Sequence, residues 1–189
     1  MQRTIATLVL AGFAGAMPTL AGGQTLQDLP SRKPGHWELR MVTTKPGGTP
    51  DVVSQVCIDA STDRQLMEFG LRVSKDLCKR YTMKREGKAL VIDAECKFGP
   101  MKSVTRTTMS GDYQSSYTVK VDGTTEGGFA GLGGGKGPQP TSMVQTARWT
   151  SAQCGNGMKP GDFTMPGGIK VNIKQMQGLQ KMLPQILGK

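Results

Sequence analysis

Four cysteines, Cys57, Cys78, Cys96 and Cys154, place the tightest constraint on this chain, because all four lie in a body preceded by what reads as a removable export leader. An even count in an oxidising compartment points to two disulfides, and four cysteines permit three pairings. Sequential pairing, Cys57 with Cys78 and Cys96 with Cys154, is the favoured expectation, since it threads neither bridge through the loop of the other. In the chain-entropy model such loops contribute about 3 and about 4 kcal/mol. No two cysteines stand at Cys-X2-Cys to Cys-X4-Cys spacing, and His36 is the only histidine. Neither a metal site nor a cycling Cys-X-X-Cys pair is therefore expected.

The leader reads from Met1 to about Gly23: Arg3 supplies a positive start, Ile5 to Met17 an apolar stretch, and Ala21-Gly22-Gly23 or Thr19-Leu20-Ala21 a small-X-small cleavage pattern. The stretch is shorter than the roughly 20 apolar residues that span a bilayer, and no later segment is long and apolar enough to do so. The expected location is the periplasm or the cell exterior. Residues 24–168 then read as one disulfide-bonded β domain and 169–189 as an amphipathic tail, within the size range of a single domain. Lys and Arg number 24 against 14 Asp and Glu. In an exported protein that balance favours an anionic envelope component over nucleic acid, and the sparse aromatics argue against a nucleic-acid platform. Its plainest role is to keep the chain in solution.

Period-two patterning dominates the body, as in half-buried antiparallel strands. Tyr113, Ser115, Tyr117, Val119 and Val121 alternate with Gln114, Ser116, Thr118 and Lys120, and Gly111-Asp112 joins this run to Ser103 to Met109 as a hairpin. A second hairpin joins Arg80 to Arg85 with Ala89 to Glu95 through Glu86-Gly87. Trp37 to Thr44, Val52 to Ile58 and Met143 to Thr150 add further strands. The expected fold is mainly β, an antiparallel sandwich or partly closed barrel of about six to seven strands.

One short helix is expected, with Thr62 and Gln65 as a capping box, Gly70 as its stop, and Leu66, Met67 and Phe69 covering the sheet. Gly123 to Pro140 has the composition of a flexible hairpin connection. Its Gly135-Lys136 pair lacks the Ser or Thr and the strand-to-helix setting of a phosphate loop. In the tail, Ile173, Met176, Leu179, Met182 or Leu183, and Ile186 recur near helical spacing, with Gly178 and Pro184 weakening the helix. Such a tail either packs on its own domain or meets a membrane surface or partner.

Catalytic machinery is not evident. Any Ser-His-Asp or Cys-His arrangement must use His36, which stands beside Trp37 at a strand start, where exposure is the ordinary expectation. Asp59, Asp63, Asp93, Glu95, Asp112 and Asp122 show no spacing that defines a carboxylate pair. The basic run Lys79, Arg80, Lys84, Arg85 and Lys88 is the one candidate surface for an anionic partner, against its reading as a solvated hairpin face. No catalytic, cofactor-binding or metal-binding residue is assigned.

Pro34-Gly35-His36-Trp37-Glu38, Val56-Cys57-Ile58, Asp93-Ala94-Glu95-Cys96, Gly111-Asp112-Tyr113-Gln114-Ser115-Ser116-Tyr117 and Ala147-Arg148-Trp149-Thr150-Ser151-Ala152-Gln153-Cys154 follow one another in an order that resembles a known family. It is the group of exported proteobacterial proteins called domain-of-unknown-function family 3617. The likeness continues more weakly in Lys159-Pro160-Gly161-Asp162 and Met165-Pro166-Gly167-Gly168. The family has no assigned activity, so the resemblance implies no functional residues. Gly35-His36-Trp37 also resembles the Gly-X-Trp that opens lipocalins; a barrel of that kind would hold an apolar ligand, with methionines adapting to its shape.

The leading expectation is thus a non-catalytic envelope protein that binds a small amphiphile or an envelope component, without a cofactor. An interaction or structural module presenting its basic face or tail to a protein is the alternative. An uncharacterised hydrolase using Asp59, Asp93 or Asp112 is a further one.

Overall fold

The computed structural model describes residues 29–43, 51–127, 137–165 and 167–180. The expected leader, the Gly-rich centre from Gly131 to Lys136 and the tail positions Met182, Leu183, Pro184 and Ile186 lie outside the described residues. Within them the chain runs β1 (Gly35–Thr43), β2 (Val52–Ile58), α1 (Ala60–Leu77), β3 (Cys78–Glu86), β4 (Ala89–Phe98), β5 (Met101–Gly111) and β6 (Ser116–Glu126). There follow β7 (Gln139–Ser151), β8 (Asp162–Thr164), β9 (Lys170–Asn172) and α2 (Ile173–Gln180).

The strands form a single antiparallel sheet in the order β3-β4-β5-β6-β7-β1-β2-β8-β9, and this sheet does not close on itself. The mainly antiparallel fold expected from the alternation is therefore present, with the three-residue strands β8 and β9 added beyond β2. Register fixes which side chains share a face: Val119 lies opposite Met109 and Gln145, and Tyr117 opposite Gly111 and Ala147. Across β1, Trp37 lies between Val56 and Trp149. The core gathers on this face, where Trp37, Val56, Ile58, Tyr113, Tyr117 and Ala147 are buried together. The Tyr117 ring stands 5.5 Å from that of Trp37 and 5.2 Å from that of Tyr113.

Helix α1 is longer than the sequence suggests. Its N-cap is Asp59, whose carboxylate accepts from the Thr62 N–H at 2.8 Å while the Thr62 hydroxyl accepts from the Asp59 N–H at 2.9 Å. The capping box thus starts three residues before the expected one. Gly70 does not stop the helix, because Val73 and Leu77 continue beyond it the apolar spacing begun by Leu66, which packs against the core, and both remain half-buried. A glycine inside a helix costs only about 0.5–1 kcal/mol, which such packing outweighs. Being 18 residues long, α1 extends about 27 Å at about 1.5 Å per residue. It joins β2 to β3, seventh and first in the sheet order, six spacings of about 4.8 Å apart. The helix therefore crosses the whole width of the core face.

The same topology corrects the cysteine pairing: the bridges are Cys57–Cys154 and Cys78–Cys96. Cys57 and Cys78, close in sequence, end up on strands at opposite sides of the sheet and are separated by α1. Cys78 and Cys96 are register partners across the β3–β4 hairpin. Cys154 follows the end of β7, whose Ser151 pairs with His36, and His36 pairs in turn with Cys57. Nesting one loop inside the other avoids threading as well as sequential pairing does.

The start of the tail packs on its own domain. Ile173 is fully buried, its N–H donates to the Gly161 carbonyl at 2.9 Å, and α2 touches α1.

Candidate functional site

The face crossed by α1 is apolar but incompletely filled. Thr62 and Asp63 are the buried residues of α1, while Leu66, Met67, Phe69, Leu71, Val73 and Leu77 all remain partly exposed. Opposite them, Met83, Ile92, Val119, Val121, Met143 and Met41 are likewise half-buried. Between α1 and the sheet a cavity of about 210 Å³ remains, walled by Leu66, Met67, Met109, Tyr113 and Tyr117, and it is the deepest part of a groove.

One end of this groove is built around Arg32. Its Nε donates to Asp63 Oδ1 at 2.7 Å, its backbone N–H to Asp63 Oδ2 at 3.0 Å, and its Nη1 to the Tyr117 hydroxyl at 3.2 Å. Burial works to lower the Arg32 pKa, but Tyr117 and Asp63 outweigh it and hold the group above its ordinary value. Burial also raises the Tyr113 phenol, with Tyr117 adding to the effect and Arg85 opposing it. The segment bearing Arg32 is clamped: Lys33 N–H donates to the Tyr113 carbonyl, Trp37 Nε1 to the Lys33 carbonyl and Trp149 Nε1 to the Pro34 carbonyl. Lys33 Nζ stands 3.7 Å above the Trp149 ring.

The basic run does not lie on one face as a whole. Lys79 meets Glu95 at 2.6 Å and Lys84 meets Glu86 at 2.9 Å. Arg80 is a register partner of Glu95, Arg85 of Leu90 on the helix side, and Lys88 is exposed in the turn between β3 and β4. Period two sends successive residues of a strand to opposite faces, so Arg80 and Lys84 share the outer face of β3 while Arg85 stands on the other.

The three carboxylates weighed for hydrolysis stand apart. Asp59 caps α1, Asp93 meets Arg106 at 3.2 Å, and Asp112 accepts from Ser115 and from the N–H groups of Gln114, Ser115 and Ser116 in the β5–β6 turn. His36 is buried, not exposed, because the chain beyond Cys154 folds over it and sets Gly155 against its ring.

Residues 32–154 match the family model described as Protein of unknown function (DUF3617), about two thirds of the chain. The chain belongs to the DUF3617 family. Neither the curated proteins nor the solved structures yield a match. The DUF3617 match opens at Arg32 and ends at Cys154, so it takes in both disulfides, α1 and the Arg32–Asp63–Tyr117 cluster. Sequence reading singled out neither Arg32 nor Met67 as a site residue. The one usable signal was Asp63, a carboxylate on the covering side of an otherwise amphipathic helix, where burial demands a partner.

Proposed function

We propose that this protein is an exported, non-catalytic envelope protein that binds a small amphiphile in the groove between α1 and the open sheet. The observation that carries the reading is the state of α1: an 18-residue helix lies across the core face, yet its buried residues are Thr62 and Asp63, its apolar side chains stay partly exposed, and a cavity remains between Leu66, Met67 and the sheet. A helix that merely completed a core would bury that apolar stripe. Methionines recur on the walls, at Met67, Met83, Met109 and Met143, and their unbranched, polarizable side chains adapt to irregular ligands. All described cysteines are in disulfides, which suits an oxidising compartment. Among the described residues no helix is long and apolar enough to cross a membrane.

Native mass spectrometry of the mature, oxidised protein, taken gently from its own envelope, tests this reading. A stoichiometric adduct removable by organic solvent is expected. A bare mass from every preparation overturns it.

A protein-interaction module is the second reading, favoured by Val42 and Val53. They are 37% and 46% exposed on neighbouring strands, on the face away from α1. A partner chain that co-purifies with the wild type and is lost on Val53→Ser would establish it.

A further inference from the structure

Two cavities meet at Arg32. The smaller, about 210 Å³, lies between α1 and the sheet, and Leu66, Met67, Met109 and the Tyr117 ring wall it. The larger, about 510 Å³, opens beyond it, and its walls include Ser31, Lys33, Arg64 and Gln114. Leu29, Arg32 and Met67 line both, so an elongated molecule passes from an apolar slot into a polar mouth along one continuous wall.

The mouth is cationic. Arg32, Lys33 and Arg64 line it with Asp63 as the one carboxylate, and Arg32 already neutralises that carboxylate. Arg64 also meets Glu68 at 3.0 Å, an exposed pair that a stronger anion displaces cheaply. The guanidinium carries five N–H donors, and those on Arg32 Nη2 have no partner among the described residues. The slot is smaller than the roughly 300–1,000 Å³ of pockets that enclose a drug-sized ligand, so it suits one chain rather than two. The mouth falls within that range and is too large for a bare carboxylate.

We propose that these cavities hold a single-chain anionic phospholipid, its acyl chain between Met67, Met109 and Tyr117 and its phosphate at Arg32, Lys33 and Arg64. The proposal rests on the amphiphile reading and adds to it the ligand class and the place. Arginine and lysine together are the ordinary protein answer to a phosphate, and Arg32 is already oriented by Asp63 and Tyr117.

The test is calorimetric titration of the mature, oxidised protein with lysophosphatidylglycerol below its micellar concentration. Lysophosphatidylcholine of the same chain length and chain-free glycerophosphoglycerol serve as comparisons. Lysophosphatidylglycerol is expected to bind one to one and more tightly than either. Lys33→Gln with Arg64→Gln, both at the mouth, should weaken it about tenfold and weaken lysophosphatidylcholine less, since choline already offsets the charge of that phosphate. Met67→Trp should abolish binding of both lysolipids, and Met109→Trp does the same from the sheet side should the helix variant fail to fold. Equal binding of the two lysolipids, or indifference to the charge substitutions or to a filled slot, overturns the proposal. If such indifference accompanies an envelope-derived adduct, the amphiphile reading stands and only this site falls. If no lysolipid binds and the native mass is bare, both fall.

Discussion

Arg32 and Asp63 join two segments 31 residues apart through a single carboxylate: the guanidinium holds one oxygen at 2.7 Å and the Arg32 backbone N–H holds the other at 3.0 Å. Asp63 is 3% exposed, so it has little water to fall back on if the pair is broken. Removing one partner of a buried ion pair commonly costs about 3–5 kcal/mol, because the other charge is left stranded. Asp63→Ala should therefore lower the urea midpoint by the equivalent of that amount. Replacing both, Arg32→Met with Asp63→Leu, should restore most of the loss, since apolar groups of similar size strand no charge. A double variant as unstable as Asp63→Ala would show that the destabilisation does not come from the stranded guanidinium.

The two disulfides should differ in weight. Cys57–Cys154 ties positions 97 residues apart and Cys78–Cys96 ties positions 18 apart. In the chain-entropy model these loops contribute about 4.7 and about 3 kcal/mol. Cys57→Ala with Cys154→Ala should cost more stability than Cys78→Ala with Cys96→Ala, as read from denaturant unfolding. Non-reducing peptide mapping should recover those two linkages; recovery of Cys57 linked to Cys78 would refute the nested arrangement.

What could be read in the sequence is what depends on neighbours along the chain. The turns at Glu86-Gly87 and Gly111-Asp112 located the four strands of two hairpins, and alternation in Trp37 to Thr44, Val52 to Ile58 and Met143 to Thr150 located three more, because period two and turn chemistry are local. The order of those strands is not local, and the cysteine pairing depends on it: nothing between Cys57 and Cys78 announces that α1 will carry the chain across the sheet. Gly70 misled for a related reason, since its local preference to end a helix was outweighed by an apolar spacing that runs on through Val73 and Leu77, both half-buried. The groove was least legible. Arg32, Met67 and the one hairpin that carries Met109 and Tyr117 come from three distant stretches, and only the assembled sheet and the crossing helix bring them together.

Gly35 explains why the chain enters β1 through Pro-Gly. Its φ is 127°, and a Cβ there would overlap the Ser151 carbonyl oxygen and approach Trp149 Nε1 to 2.8 Å. Gly35→Ala should thus force β1 and β7 apart where Trp37 is packed, at a cost of at least about 1–3 kcal/mol. Gly87→Ala is the comparison, since that glycine also has a positive φ, 60°, but no neighbour for a Cβ to meet. Thermal unfolding should rank Gly35→Ala well below Gly87→Ala. Equal losses would mean that backbone conformation alone, and not close strand approach, sets the requirement at Gly35.

Acid should expose the carboxylates that cap turns and helices. Hydrogen bonds from Thr62, its backbone N–H foremost, hold Asp59 below its ordinary pKa. The Ser115 hydroxyl, with the N–H groups of Ser115, Ser116 and Gln114, holds Asp112 far below the usual carboxylate range. Burial opposes the shift at Asp162, but Asn172 and the Lys159 N–H outweigh it and its pKa is lowered too. A carboxylate with a folded pKa below its unfolded value of about 3.9 contributes stability that is fully present above that pH and is lost as pH falls through the lower, folded value. The melting temperature should therefore hold level from neutrality to about pH 4 and then decline. Asp59→Asn and Asp112→Asn separate geometry from charge, because asparagine caps a helix about as well as aspartate and still offers an acceptor oxygen. Each variant should melt below the wild type at pH 4 and above, where the charge contributes, and converge on it at lower pH as acid protonates the wild-type carboxylate, so that its own decline is shallower. An acid slope unchanged in both variants would place the acid sensitivity elsewhere, with Asp162 and its Asn172 partner the next pair to substitute.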